Sequence, residues 1–130
     1  MYNQINKIFG LLAFVLPFIL YFLTMAPTTS FWDCGEFIAT SYILGVPHPP
    51  GSPLFLLLGN VFSHIPILND IGARVNLISP ISSALSVMFL YHIIVHLIKE
   101  FNGKSEDISD IIINNVSALI AALTFAITDS

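Results

Sequence analysis

The run Ile8-Phe9-Gly10-Leu11-Leu12-Ala13-Phe14-Val15-Leu16-Pro17-Phe18-Ile19-Leu20-Tyr21-Phe22-Leu23-Thr24-Met25 contains no charged residue. As a helix, these eighteen residues rise about 27 Å, close to the hydrocarbon thickness of a bilayer. Pro17 would break a helix in water, but membrane-spanning helices tolerate proline because neighbouring groups re-satisfy the freed backbone. A cleaved signal peptide is the competing assignment. Its apolar core would be shorter, and the exit Met25-Ala26-Pro27 lacks a small-x-small cleavage pattern. An uncleaved first span over 8–25 is therefore the expectation.

Composition extends that reading to the whole chain, which is 55% hydrophobic and 9% charged with a mean hydropathy of +0.85. So little charge cannot cover a soluble domain, which points to an all-α, polytopic membrane protein whose first partner is the lipid bilayer. Four Lys and Arg residues against a formal charge of -4 give no electrostatic footprint for nucleic acid. The single cysteine, Cys34, excludes an internal disulfide framework and any cysteine-based metal spacing.

Working outward, a second span is expected over 75–98 and a third over 111–128. The second is rich in small residues in its first half (Ser79, Ser82, Ser83, Ala84, Ser86), which suits close helix packing. Its second half carries Tyr91, His92 and His96, read as interfacial or helix–helix contacts near the exit at Lys99-Glu100. The polar segment 99–110, with Asn102-Gly103 as its turn, reads as a loop. The third span is still apolar as the chain reaches Asp129-Ser130, so the chain reads as the amino-terminal portion of a longer protein. Within the long connection 27–74, the run from Pro53 to Leu68 is broken by Gly59, Asn60, His64 and Pro66. It is short for a span and reads as a re-entrant or interfacial helix, a short crossing being the alternative. Lys7, Lys99 and Lys104 fall on one side against Arg74 on the other. The positive-inside rule then places the amino terminus and loop 99–110 in the cytoplasm and the 27–74 connection outside.

The chemistry concentrates in that outward connection. Ser30-Phe31-Trp32-Asp33-Cys34-Gly35-Glu36-Phe37 sets two carboxylates three residues apart among aromatic rings. On a helix they share a face, and their repulsion and partial desolvation would raise the pKa of one toward that of a general base. The plainer alternatives are solvated loop acids or an N-terminal cap for a helix starting near Gly35. Val46-Pro47-His48-Pro49-Pro50-Gly51-Ser52-Pro53 follows, with prolines on both sides of His48 fixing where its imidazole points, or merely making a rigid loop whose histidine faces water. Asn60 and His64 lie four apart, a spacing that also fits a plain polar stripe. Arg74 is either a membrane anchor or a fork of donors for phosphate. Cys34 has no basic neighbour to favour a thiolate and reads as packing.

The strings from Thr29 to Ala39, from Gly45 to Phe55, and Arg74-Val75-Asn76-Leu77 together resemble a bacterial multi-pass membrane family. That family also contains the animal transmembrane protein O-mannosyltransferase, and the resemblance covers nearly all of the chain. It implies a GT-C-like glycosyltransferase that moves a sugar, mannose by preference, from a polyprenyl-phosphate donor to a protein acceptor hydroxyl. Transfer would occur on the periplasmic or lumenal face, with the protein in a bacterial inner membrane and its amino terminus cytoplasmic. Asp33 and Glu36 take the catalytic positions, with Asp33 as base, while His48, Arg74, Asn76 and Trp32 are implied in binding donor phosphate and substrate. Protein O-mannosyltransferases of the better-known kind carry adjacent Asp and Glu and a His-Pro-Pro-Leu-Gly-Lys turn. Here two residues separate the acids, and the turn lacks the lysine. No cofactor is implied and no metal is expected, although Asp33 and Glu36 are a pair that a divalent cation accepts. A transporter or lipid-carrier-binding module, with the same residues as a binding or proton-coupling site, is the alternative.

Overall fold

A computed structural model describes residues 2–49, 51–103 and 107–128. Six α-helices are formed by these residues: α1 (Tyr2–Thr24), α2 (Cys34–Ile43), α3 (Pro53–His64), α4 (Ile71–Asn76), α5 (Ile78–Asn102) and α6 (Ile108–Ile127). Three helical segments are long and apolar enough to cross a membrane, namely Gln4–Thr24, Ile71–Asn102 and Ile108–Ile127. The chain is an all-α, polytopic membrane protein. Its contacts divide into two compact units, one of residues 1–21 with 82–130 and the other of residues 22–81.

Helix ends differ from the sequence expectation where capping groups act. Within the polar segment 99–110, helix reaches Asn102 on one side and resumes at Ile108 on the other. α5 runs on to Asn102 with Lys99 in its last turn, where a cation meets the helix dipole favourably. α6 starts at Ile108 rather than near Ile111 because Asp107 is its N-cap, the Asp107 carboxylate accepting from the Ser109 N–H at 3.1 Å. Lys104 and Pro50, used in the orientation and turn arguments, lie outside the described residues. The helix before α5 is a second departure. Asp70 caps α4, accepting from the Ala73 N–H at 2.9 Å, and Leu77 keeps a right-handed helical backbone, so α5 follows α4 directly from Ile78. Pro80 falls in the first turn of α5, where a missing N–H costs little.

The first unit packs small side chains against a few large ones. Ala13 of α1, Val87, Tyr91 and Val95 of α5, and Ala118 and Ala122 of α6 form its buried cluster. Of the small residues expected to pack α5, Ala84 is buried, whereas Ser79, Ser82, Ser83 and Ser86 are exposed. Asn115, fully buried, accepts from the Tyr91 hydroxyl and donates to the Ile111 carbonyl at 2.7 Å, and the Tyr91 hydroxyl also lies 2.8 Å from Asn6 Oδ1. The outward faces carry Leu11 and Ile19 of α1, Ile93 of α5, and Ile113 and Ile120 of α6. That arrangement, polar contacts within and apolar groups outside, is the one a hydrocarbon solvent requires.

The second unit holds α2, α3 and α4. Pro53 opens α3 at a position where its absent N–H would be unbonded in any case. Leu44 ends α2 in the left-handed region (φ 52°), and the Gly45 N–H bonds back to the Thr40 carbonyl at 2.8 Å. The Asn60 side chain completes that end by donating to the Ser41 and Tyr42 carbonyls at 2.9 and 3.0 Å. Gly59 lets α2 and α3 approach closely, since a Cβ there would stand 2.8 Å from the Ser41 Cβ.

Candidate functional site

Asn76, at the end of α4, anchors the loop that carries the acidic motif. Its side-chain amide donates to the Ala26 and Thr28 carbonyls, both at 3.0 Å, and its Oδ1 lies 3.9 Å from Cys34 Sγ. Asp70 adds a contact to the Thr28 hydroxyl at 3.2 Å. Gly72 leaves room for this loop, because a Cβ there would lie 3.3 Å from the Thr29 nitrogen. The loop then turns through Trp32, whose φ of 61° is left-handed, and enters α2 at Cys34.

Entry into α2 positions both acids. Asp33 is the N-cap residue, yet its carboxylate makes no capping hydrogen bond. Glu36 follows in the first turn, where the helix dipole favours an anion. The His48 loop folds back onto these two groups. Glu36 Oε1 accepts from the His48 backbone N–H at 2.8 Å, and Glu36 Oε2 lies 2.7 Å from His48 Nδ1. His48 Nε2 lies 3.8 Å from Asp33 Oδ2. Phe37 supports the histidine, its ring meeting the imidazole at 6.1 Å and 69° and the Phe55 ring at 5.8 Å and 86°. The three polar side chains remain open to solvent, at 61% for Asp33, 39% for Glu36 and 49% for His48.

The electrostatics follow from this pairing. The His48 side chain holds the Glu36 carboxyl below its ordinary value, helped by the His48 backbone N–H. For Glu36 this runs opposite to the rise expected of two repelling acids, because an imidazole stands against it. His48 is raised in turn, first by its hydrogen bond to Glu36, then by that group's charge, with Asp33 adding to the effect. The cationic imidazole is therefore favoured, with Nε2 turned toward Asp33. Ligating atoms of Asp33, Glu36 and His48 all lie within 4.8 Å of one another, so this donor set could also hold a divalent cation.

The other residues singled out from sequence take different places. Arg74 forms no ion pair among the described residues; its guanidinium donates to the Leu68 carbonyl and, at 3.0 Å, to the Ser63 carbonyl. Like the Asn76 amide, it holds backbone carbonyls in place. Trp32 is 97% exposed beside Asp33. Cys34 is half-buried. His64 stacks on Tyr42 at 5.1 Å, away from the acids in its bonding, with Nδ1 against the Asn60 carbonyl. Phe37, Phe55 and Asp70 were not singled out as site residues. For Asp70 the signal was present, an Asp directly before a short apolar stretch that ends in Arg74.

The profile of the protein O-mannosyl-transferase TMEM260 N-terminal domain matches residues 33–130, which include Asp33, Glu36 and His48. The protein O-mannosyl-transferase tmem260 of Dictyostelium discoideum is 37% identical over 82 residues, 62% of this chain and 10% of that protein. The protein O-mannosyl-transferase TMEM260 of Mus musculus is 35% identical over 65 residues, 50% of this chain and 9% of that protein. The chain thus spans about a tenth of the length of these curated relatives. No solved structure matches. With three quarters of its length matched, site residues included, the chain belongs to the family of the protein O-mannosyl-transferase TMEM260 N-terminal domain.

Proposed function

We propose that this chain forms the catalytic amino-terminal portion of a membrane protein O-mannosyltransferase. The observation that carries the reading is the convergence of Asp33, Glu36 and His48 at the open start of α2, in the connection between two membrane-spanning helices. The names of the relatives support the mannosyl class of the reaction. The donor is a polyprenyl-phosphate mannose, the acceptor a protein hydroxyl, and the face of transfer the periplasmic or lumenal one, as in a GT-C-like enzyme.

In the reaction, an acceptor hydroxyl oxygen attacks the anomeric carbon. Asp33 takes the hydroxyl proton, and the bond from the anomeric carbon to the phosphate oxygen breaks, its electron pair leaving with the polyprenyl phosphate. Asp33 suits the base because its carboxylate is neither capping α2 nor closely bonded to His48. Glu36, engaged twice by His48, orients that residue. The raised pKa of His48 favours an imidazolium that stabilises the departing phosphate. Arg74 and Asn76 shape the loops around it.

The test uses the full-length protein in membranes, polyprenyl-phosphate mannose and a protein acceptor. Wild type is expected to transfer mannose, and Asp33→Asn to lose about 100-fold or more in kcat while remaining inserted. Undiminished transfer in Asp33→Asn would remove Asp33 from the role of base. Donor binding without transfer in the wild type would overturn the enzymatic reading in favour of a lipid-carrier-binding module.

A further inference from the structure

Trp32 occupies a backbone conformation that suits glycine. Its φ is 61°, and the chain is held at points on either side of it. Upstream, Asn76 grips the Ala26 and Thr28 carbonyls. Downstream, α2 begins at Cys34, with the Phe37 N–H bonded to the Asp33 carbonyl at 3.0 Å. The reversal between these fixed points falls on Trp32. A bulky residue there is strained, and glycine would relieve the strain at no steric cost. Among the described residues the indole makes almost no packing contact, being 97% exposed. Leu44 shares the left-handed backbone, but there it closes the end of α2. At Trp32 no helix end is closed, and the strain stands one residue from Asp33, which points to a functional role.

We propose that the Trp32 indole is the platform on which the pyranose ring of the lipid-linked donor stacks by its C–H face, setting the anomeric carbon against Asp33. This assignment rests on the transferase reading of the same site. A bilayer anchor is the competing role for an exposed aromatic residue. Interfacial tryptophans act through amphipathic character and need no particular backbone conformation. Phe31, 87% exposed and with no left-handed backbone, meets that description; Trp32 does not. A fixed, strained backbone suits a ring whose direction relative to its neighbour matters.

The experiment compares full-length wild type, Trp32→Phe and Trp32→Gly in lipid nanodiscs, with polyprenyl-phosphate mannose as donor. Trp32→Gly is expected to raise the donor KM by about tenfold while thermal stability holds or rises, and Trp32→Phe to stay within about threefold of wild type. A Trp32→Gly protein with wild-type KM overturns the proposal and leaves the transferase reading intact. Brominated lipids supply the second readout. Quenching of the emission that Trp32→Phe removes, equal with and without donor, assigns the ring to the bilayer and overturns the proposal. Donor-dependent protection from that quenching, or from acrylamide, supports it. A wild type that transfers no mannose overturns both readings together.

Discussion

Glu36 and His48 keep one another charged, and the pH range of that pairing follows from the two shifts. Glu36 is lowered from its ordinary 4.5, so its contribution is present above that value and lost as pH falls through the lowered one. His48 is raised from its ordinary 6.5, so its contribution is complete below that value and lost as pH rises through the raised one. The clamp between the α2 start and the His48 loop is therefore strongest between those ordinary values and opens on the alkaline side. NMR titration of the His48 ring should give a midpoint above 6.5 in wild type, moving down toward it in Glu36→Gln. A midpoint unmoved by Glu36→Gln would show that the pair does not persist in solution. On the proposed mechanism, transfer activity should decline through the same alkaline limb, because the imidazolium assigned to the departing phosphate is lost there.

The packing of α2 on α3 depends on two small residues in contact. A Cβ at Gly59 would stand 2.8 Å from Ser41 Cβ, and Ser41 is fully buried, so neither helix has a flexible group to move aside. Gly59→Ala gains helix propensity of about 1 kcal/mol, but overpacking of about 1–3 kcal/mol opposes it and should win. Thermal unfolding of the detergent-solubilised protein should show a net loss of stability. Ser41→Ala should behave in the opposite sense. Its hydroxyl is buried and finds no hydrogen-bond partner among the described residues, so removing it is neutral or stabilising by about 1 kcal/mol. A stabilised Gly59→Ala would mean that the two helices are spaced more widely than described. Asn60 acts at the same scale, its amide closing the carbonyl end of α2, and Asn60→Leu should fray that end toward His48.

Across the whole molecule, the order of apolar helices sets the topology. Three crossings would put the connection between α1 and α4 on the side opposite the residues that join α5 to α6. In a Cys34→Ser background, Asn69→Cys should react with an impermeant maleimide on intact cells, and Asn102→Cys only after permeabilisation. The reverse pattern would invert the orientation and set the acidic cluster in the cytoplasm. Within the first unit, the Tyr91–Asn115 bond joins α5 to α6 in an apolar setting. Tyr91→Phe should cost about 0.6–1.7 kcal/mol, checked by a double-mutant cycle with Asn115→Ala.

Much of this protein follows from its sequence read locally. The charge-free stretch at 8–25 and the apolar runs of α5 and α6 declare helices in hydrocarbon, because a bilayer demands uninterrupted apolar side chains and internally bonded backbone. Asp33 and Glu36 stand out because acids are rare in so apolar a chain. Helix ends were less legible, since Asp107 and Lys99 act through caps and dipoles rather than through hydropathy. What only the tertiary structure decided is which polar groups meet. Spacing along the chain leaves His48 free to face water or the acids, and only the fold closes it onto Glu36, twelve residues away. Spacing likewise leaves Arg74 free for phosphate, whereas packing of α3 against α4 presents it with the Ser63 and Leu68 carbonyls. Hydrogen bonds are short-ranged and directional, so partners distant in sequence are chosen by helix packing, which no local pattern encodes.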